Sequence, residues 1–221
     1  MKCYAKDIVV RNPDDEVIVR VDELAVENGG TTSISGPSGS GKTTLLYCLS
    51  GLIKPNEGAI NWDEHNVTTM AGNKLNKFRR ENIGFIFQSP FLFDELDPLS
   101  NVTIHSAFTT NLSKAAVNER AKELLDLFKV PLKGRKTASV LSGGEKQRLS
   151  MARGLVNNPK IILADEPTAS LDRKNSKILM DCLLSYHKDY SPTLVVVSHD
   201  DSVLSRFTKN LSLTQRREAD A

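Results

Sequence analysis

Long apolar runs, a signal-like N-terminus and a strong net charge are all missing from this chain. No segment approaches the roughly 18 consecutive apolar residues that a membrane-spanning helix requires, and residues 1–7 contain no apolar core of the signal-peptide kind. Any membrane association is therefore expected to come through a partner. The net charge is only +2, with basic and acidic residues interspersed, so the sequence predicts no nucleic-acid partner.

Cysteine is scarce as well. The three cysteines, Cys3, Cys48 and Cys182, are widely spaced, odd in number and without metal-type pairing, which predicts reduced thiols. Cys48 and Cys182 lie among apolar helical residues and are predicted to be buried. At 221 residues the chain is long enough to bury a substantial core as one large domain.

What the chain does have is a complete phosphate-loop motif, G-x-x-x-x-G-K-[ST], at residues 36–43. A strand-like run at 32–35 precedes the motif and an apolar helical stretch at 45–49 follows it, which is the setting that the motif requires. Glycines let successive backbone N–H groups converge on an anion, and the following helix adds its positive N-terminal end. The alternative interpretation is an ordinary Gly/Ser-rich turn before a helix.

The motif predicts a nucleotide triphosphate as ligand. In such loops the lysine, here Lys42, reaches the β- and γ-phosphates, and the hydroxyl of Thr43 ligates Mg²⁺. The residues predicted to bind the nucleotide here are Gly36, Pro37, Ser38, Gly39, Ser40, Gly41, Lys42, Thr43 and Thr44.

The rest of the pattern predicts an α/β fold. Residues 8–21 alternate as strands do around a turn at 12–15, which predicts an N-terminal antiparallel β region. Continuous apolar runs at 161–164 and 193–197 predict buried parallel strands, and a further strand is predicted at 83–87.

A mostly helical insert interrupts this pattern. Residues 113–129 carry one apolar stripe, formed by Ala116, Val117, Ala121, Leu124, Leu125 and Phe128. We therefore predict a single domain over 1–221 with a P-loop NTPase core. The core subdomain is predicted at 1–88 and 156–221, and the helical subdomain at 89–155.

The strand at 161–164 leads directly into two acids, Asp165 and Glu166. Carboxylates at the carboxyl end of a buried parallel strand lie where such sheets bind ligands, and burying them is costly without a cation or hydrogen bonds. Asp165 is therefore predicted to hold Mg²⁺, and Glu166 to polarise the attacking water. The alternative interpretation is that the two acids are solvated and simply cap the end of the strand.

The segment 141–145, Leu-Ser-Gly-Gly-Glu, has two compatible interpretations. Ser142 and Glu145 form the capping box of a helix that runs to about residue 155. A serine-capped helix start with two glycines also predicts a second anion site. Two phosphate sites in one chain make sense if each ATP is shared between two chains.

With these motifs in order, the chain resembles the nucleotide-binding subunits of ATP-binding cassette (ABC) transporters over almost its whole length. The order of the family motifs is Walker A at 36–43, Q-loop Gln88, signature 141–145, Walker B 161–166, D-loop 170–172 and switch His199. The resemblance implies an ATP-bound head-to-tail homodimer in which each ATP lies between the Walker A of one chain and the signature of the other.

The same resemblance implies particular roles. The signature residues Ser142, Gly143 and Gly144 would bind the partner's nucleotide, and Asp172 would organise the dimer seam. Catalysis would rest on Glu166, Gln88 and His199, and Mg²⁺ would be held by Thr43, Gln88 and Asp165. Gln88 would also link the site to an integral membrane permease, placing the chain peripherally on the cytoplasmic side of the inner membrane.

Within the family, segments such as Ile83–Gln88 are most similar to the ATPases of lipoprotein-releasing, macrolide-efflux and cell-division systems. The apolar stretch Phe91–Leu96 is a candidate groove for the permease, or else subdomain core. A cell-division or signalling cassette stays as the alternative function. A DNA-repair ATPase is disfavoured because the chain lacks a coiled coil and a zinc module.

Two departures from the family remain. The aromatic residue that usually stacks on adenine is missing, and Arg11 or Asn12 stands at its place, which predicts weaker adenine selectivity unless Arg11 stacks instead. The C-terminal segment 212–218 is polar and unlike the usual terminal hairpin, which predicts a disordered tail.

Overall fold

The computed structural model describes residues 1–104, 106, 113–131 and 137–214. In chain order its elements are β1 (Cys3–Arg11), β2 (Val17–Val26), β3 (Thr31–Ser35), α1 (Lys42–Leu49), β4 (Glu57–Trp62), β5 (His65–Asn66), α2 (Gly72–Asn82), β6 (Ile83–Ile86), α3 (Pro98–Thr103), α4 (Lys114–Leu127), a 3₁₀ turn (Ala138–Val140), α5 (Gly143–Leu155), β7 (Ile161–Asp165), α6 (Arg173–Tyr190), β8 (Thr193–Val197), α7 (Asp201–Leu204) and β9 (Lys209–Ser212).

The strands form two sheets. One is antiparallel, in the order β2-β1-β4-β5, and contains the predicted N-terminal hairpin. The other is parallel, in the order β6-β7-β8-β3-β9. Because β7 and β8 are buried along their whole length, they carry the continuous apolar runs that the sequence contains. The α/β fold with an N-terminal antiparallel region is confirmed.

Side-chain caps fix where several helices begin. Asp97 caps α3 ahead of a proline at the first helical position, and Ser113 caps α4. Ser142 and Glu145 form the predicted capping box of α5, and Asp172 caps α6. The D-loop therefore ends at the N-cap of a helix, and the signature forms the N-cap and first turn of another.

Two apolar clusters hold the elements together. One lies between the antiparallel sheet, α1 and one face of the parallel sheet, and in it the indole of Trp62 donates to the carbonyl of Leu49 at 2.8 Å. The other joins α4, α5 and α6 to the opposite face of the parallel sheet. Cys48 and Cys182 are buried as predicted, and so is Cys3. Burial raises the pKa of the Cys48 thiol to about 12.

The structure corrects three expectations. Residues 89–97 are irregular rather than helical, and Ala116 is exposed although the other members of the predicted stripe are buried. The strand β9, which pairs in parallel with β3, was not predicted from the sequence. The prediction of a disordered tail over 212–218 is wrong at its start, because Ser212 ends β9 and Leu213 is buried. Residues 215–218 lie outside the described residues.

The described helices of the insert, α3, α4 and α5, share their apolar cluster with β7, β8 and α6. The division into a core subdomain (1–88 and 156–221) and a helical subdomain (89–155) stays a prediction. Within the described ranges, no helix has the length and apolar character that crossing a bilayer demands.

Candidate functional site

The loop between β3 and α1 has the backbone shape of an anion cradle. Gly36, Gly39 and Gly41 all have positive φ, at 148°, 78° and 83°. A Cβ on Gly41 would lie 2.6 Å from the Cβ of Val19, so neither the conformation nor the space admits a side chain there. Gly41 is the N-cap of α1, and the first N–H groups of this helix are directed to the loop.

Lys42 holds the loop closed upon itself. The lysine is 8% exposed, and its Nζ donates to the carbonyls of Gly36 and Pro37, both at 2.9 Å. This nearly buried ammonium group places a positive charge within the loop. A phosphate oxygen is therefore a natural acceptor for the same Nζ.

Thr43 and Asp165 meet across the end of the parallel sheet. Thr43 Oγ1 donates to Asp165 Oδ1 at 3.0 Å. Burial raises the pKa of the Asp165 carboxyl above its ordinary value, and the charge of Glu166 adds to the rise, whereas the hydrogen bond from Thr43 and the charge of Lys42 oppose it. A hydroxyl and a carboxylate oxygen side by side fit Mg²⁺, which proteins hold through few ligands together with substrate phosphates.

Glu166 follows β7 in a strained backbone conformation. Its φ is +44°, and its N–H donates to the carbonyl of Val197 at 3.0 Å, which fixes the residue beside the end of β8. Its Oε2 lies 2.6 Å from Nδ1 of His199. The carboxylate is mostly covered, with 13% of the side chain exposed, whereas the imidazole is 65% exposed. The two residues thus form one acid–base pair at the rim of the loop.

Gln88 is exposed just beyond β6, and α5 holds the backbone on both sides of it. Gln147 Nε2 donates to the carbonyl of Phe87 at 2.9 Å. Arg153, only 9% exposed, donates to the carbonyls of Pro90 and Phe91 at 2.6 and 2.5 Å. The helix that begins at the signature therefore also positions the Q-loop.

One pocket of about 580 Å³ collects most of the predicted residues. Its lining consists of Ile18, Gly36, Pro37, Ser38, Gly39, Gly41, Lys42, Thr43, Thr44, Gln88, Glu166 and His199. Asp165 lies behind Thr43, and Ser40 is buried under the loop facing an adjoining cleft. The triphosphate site and the three predicted catalytic side chains thus share one cavity.

The signature and Asp172 are not part of that lining in the described chain. Ser142 starts α5 with its backbone N–H and hydroxyl both donating to Glu145 Oε2, at 2.8 and 2.9 Å. A Cβ on Gly143 would meet nothing within 4 Å, so this helix start faces open space. Asp172 is exposed at the N-cap of α6, and hydrogen bonds from Asn175 lower the pKa of its carboxyl.

Neither Arg11 nor Asn12, the residues at the usual place of the stacking aromatic, lines this pocket. Arg11 does not line the pocket: it pairs with Asp15 and Glu57, both at 3.7 Å. Asn12 is held in its turn by a 2.6 Å hydrogen bond to Glu16. Ile18, 39% exposed, lines both the 580 Å³ pocket and an adjoining cleft of about 840 Å³. A base stack by Arg11 stays a prediction that these ion pairs do not favour, and the side chain that lines that end of the pocket, Ile18, is aliphatic.

Three residues of this region escaped the sequence analysis: Ile18, Arg153 and Asn175. Ile18 is one apolar residue in an alternating strand, and Arg153 one cation in a helix, so neither carries a motif. Asn175 follows the helix cap Asp172 at the third position, where a capping partner is expected, and this spacing was a usable signal.

Comparisons with known proteins agree with this geometry. The family model described as ABC transporter matches residues 19–169. The lipoprotein-releasing system ATP-binding protein LolD 1 of Chlorobium chlorochromatii is 34% identical over 97% of this chain and 87% of its own. The LolD protein of Bacteroides fragilis is 40% identical over 82% of this chain and 83% of its own.

Two solved structures are similar throughout. The ATP-binding cassette MJ0796 in a dimeric post-hydrolysis state with ADP and Pi superposes with a TM-score of 0.86 at 33% identity, covering 97% of both chains. A second dimeric structure of MJ0796 gives a TM-score of 0.87 at 34% identity, covering 96% of this chain and 94% of the other. The chain therefore belongs to the ATP-binding cassette (ABC) transporter family, as an ATP-hydrolysing member.

Proposed function

We propose that two copies of this chain enclose two ATP molecules, each held by residues 36–44 of one copy and residues 142–144 of the other. The observation that carries the proposal is the separation of the two phosphate sites. The loop pocket contains Gln88, Glu166 and His199 but no signature residue, while the signature helix begins at an open surface. The dimeric structures of MJ0796 support the same arrangement.

Hydrolysis would follow from the residues around the loop. Lys42 would exchange its bonds to the carbonyls of Gly36 and Pro37 for bonds to phosphate oxygens. Glu166 would orient a water molecule toward the γ-phosphorus and accept its proton, with His199 holding the carboxylate from the other side. Gln88, at the rim, would contact the same water.

Thr43, Asp165 and Gln88 are the residues proposed to hold Mg²⁺. The metal would neutralise charge that develops on the phosphate oxygens. Asp165 suits this role because it is buried next to a hydroxyl, and a cation would relieve the unfavourable burial of its charge.

The experiment for the shared site uses Glu166→Gln, which keeps the shape of the pocket but removes the proton acceptor. With ATP and Mg²⁺, the variant should accumulate as a dimer in size-exclusion chromatography with light scattering, and it should return to monomer after the nucleotide is removed. Glu64→Gln, at an exposed position, is the matched control and should hydrolyse ATP like the parent. A Glu166→Gln variant that binds ATP and stays monomeric contradicts the proposal.

Ile18 is the residue on which the nucleobase is proposed to lie. It is the side chain common to the phosphate pocket and the adjoining cleft, and it is partly exposed. An aliphatic surface does not reproduce the stacking of an aromatic ring, which is worth about 1–3 kcal/mol per base. The chain is therefore expected to distinguish ATP from GTP only weakly.

A row of aromatic rings is the surface proposed to contact the membrane permease. Ring centroids are 5.6 Å apart for Tyr47 and Phe85, 4.4 Å for Phe85 and Phe87, and 5.5 Å for Phe87 and Phe91. Phe91 ends the row with 68% of its surface exposed, next to Gln88, and Phe93 is 47% exposed. Exposed phenylalanines favour a docking surface over subdomain core.

On this basis we propose that the chain powers a membrane permease from the cytoplasmic face of the inner membrane. The names of its relatives favour a lipoprotein-releasing system over a cell-division cassette. Co-expression with a candidate permease tests the surface. Phe91→Ala should reduce co-purification with the permease and leave ATP-driven dimerisation intact. Tyr190→Ala, at an exposed aromatic residue elsewhere on the surface, should leave both co-purification and dimerisation unchanged. Equal retention of both variants contradicts this surface.

A further inference from the structure

Asn175, in the first turn of α6, joins the two motifs that the proposed dimer places against a partner chain. Its backbone N–H donates to Asp172 Oδ1 at 2.9 Å, and its side-chain amide donates to Asp172 Oδ2 at 2.6 Å. Its Oδ1 accepts from Nη1 of Arg148, on α5, at 3.1 Å. One amide therefore ties the N-cap of α6 to the signature helix through its donor and its acceptor.

The same amide accounts for glycine at position 144. A Cβ there would lie 2.7 Å from Asn175 Oδ1 and 2.9 Å from its Cγ. At Gly143, one residue earlier, a Cβ would meet nothing within 4 Å. The crowding is therefore specific to the signature residue that faces Asn175, and it arises within one chain.

Arg148 makes the link costly to remove. Its side chain is buried, and its Nε has no hydrogen-bond partner among the described residues. The carbonyl oxygen of Asn175 is an acceptor for this buried guanidinium, so losing it leaves a buried cation with fewer partners.

We propose that Asn175 is a positioning residue for ATP-driven dimerisation. It fixes the start of α5 against the N-cap of α6, so that Ser142, Gly144 and Asp172 meet the partner's nucleotide as one rigid surface. Asn175 does not line the chain's own phosphate pocket, so it acts through these motifs. The inference rests on the proposed sharing of ATP between two chains.

The test uses the Glu166→Gln chain as parent and measures the dissociation constant of its ATP-bound dimer by sedimentation. Asn175→Leu has nearly the same size but no polar group, and Asn175→Asp replaces the donor with a second carboxylate beside Asp172. Loss of preorganisation should raise the dissociation constant of the dimer about tenfold for each ATP site. Because both copies of a symmetric dimer carry the change, the dissociation constant should rise about 100-fold in total.

Two measurements separate this role from a general loss of structure. ATP binding to the monomer, followed with a fluorescent analogue, should stay at the parental value because the loop is unchanged. Asn73→Leu, on the exposed face of α2, is the matched control and should dimerise like the parent. If the Glu166→Gln parent forms a dimer with ATP and the Asn175 variants dimerise equally well, the role of Asn175 is refuted but the proposed function is not. If the parent itself stays monomeric with ATP, the proposed function is refuted.

A double-mutant cycle tests the crowding argument directly. Gly144→Ala should weaken dimerisation when residue 175 is asparagine, because the new Cβ displaces the amide. In the Asn175→Ala chain, the factor by which Gly144→Ala weakens dimerisation should be at least about fivefold smaller, because the effects of contacting residues are not additive. Equal costs in the two backgrounds overturn the assignment of Gly144 to packing against Asn175.

Discussion

Replacing Arg153 with methionine should both destabilise the fold and slow hydrolysis. Arg153 is nearly buried, and its two terminal nitrogens donate to the carbonyls of Phe91 and Pro90 at 2.5 and 2.6 Å. These bonds hold Phe91 in its left-handed conformation, at φ +45°, directly after the segment that carries Gln88. The side chain therefore acts as a clamp between α5 and the Q-loop.

The magnitude follows from the two bonds and the burial of the charge. A hydrogen bond from a charged donor is worth about 1.5–3 kcal/mol, so two give about 3–6 kcal/mol. Burial lowers the pKa of the Arg153 guanidinium, which means that desolvation offsets part of this gain. We expect Arg153→Met to reduce the free energy of unfolding by about 3 kcal/mol. Arg153→Lys, which keeps the charge but not the two terminal nitrogens that donate to separate carbonyls, should reduce it by roughly half as much.

Urea unfolding at equilibrium measures this loss, and ATP turnover measures its functional consequence. Because Gln88 would lose its fixed position while the phosphate loop is unchanged, kcat should fall more than KM rises. Arg80→Met, on the exposed face of α2, serves as the control and should change stability by no more than about 0.5 kcal/mol. If Arg153→Met is as stable and as active as Arg80→Met, the clamp has no role.

Two further predictions concern the pocket. Asp165→Asn should abolish Mg²⁺-dependent hydrolysis yet raise the melting temperature of the nucleotide-free protein at neutral pH, because the raised pKa of Asp165 means that its ionised form is disfavoured by folding. That penalty is complete above the pKa of Asp165 in the folded state and vanishes below its unfolded value of about 3.9. The melting temperatures of the parent and of Asp165→Asn should therefore converge in acid. A variant less stable than the parent at pH 7 contradicts the reasoning. Ile18→Tyr should tighten ATP binding by about 1 kcal/mol or more, roughly fivefold, as measured by calorimetry; unchanged affinity would place the base elsewhere.

Where local chemistry determines the structure, the sequence was sufficient. The phosphate loop needs glycines at positive φ, and the buried strand β7 needs a continuous apolar run, so both were readable from residue types. The capping box at Ser142 was readable for the same reason, since the two side chains satisfy each other's backbone groups.

Where tertiary contacts decide, the sequence was not sufficient. The strand β9 is polar and largely exposed, and it exists because its backbone pairs with β3, so it carries no apolar pattern. The segment 87–97 is irregular because side chains of α5, over 50 residues away in sequence, bind its carbonyls. Arg11 could not be placed either, because its partner Glu57 lies on a different strand.

Mixing two inactive chains tests the central claim most directly. Lys42→Ala removes the phosphate-binding lysine, and Gly143→Glu puts a negative charge on the signature at a position that is open within the chain. If each ATP site is built from two chains, half of the dimers in an equal mixture pair the two variants, and each of these has one intact site. ATP hydrolysis should then rise from near zero to about a quarter of the parental rate, as statistical pairing of a symmetric dimer requires. A mixture that stays inactive at every ratio, or a Gly143→Glu chain that hydrolyses ATP at the parental rate alone, would contradict the account.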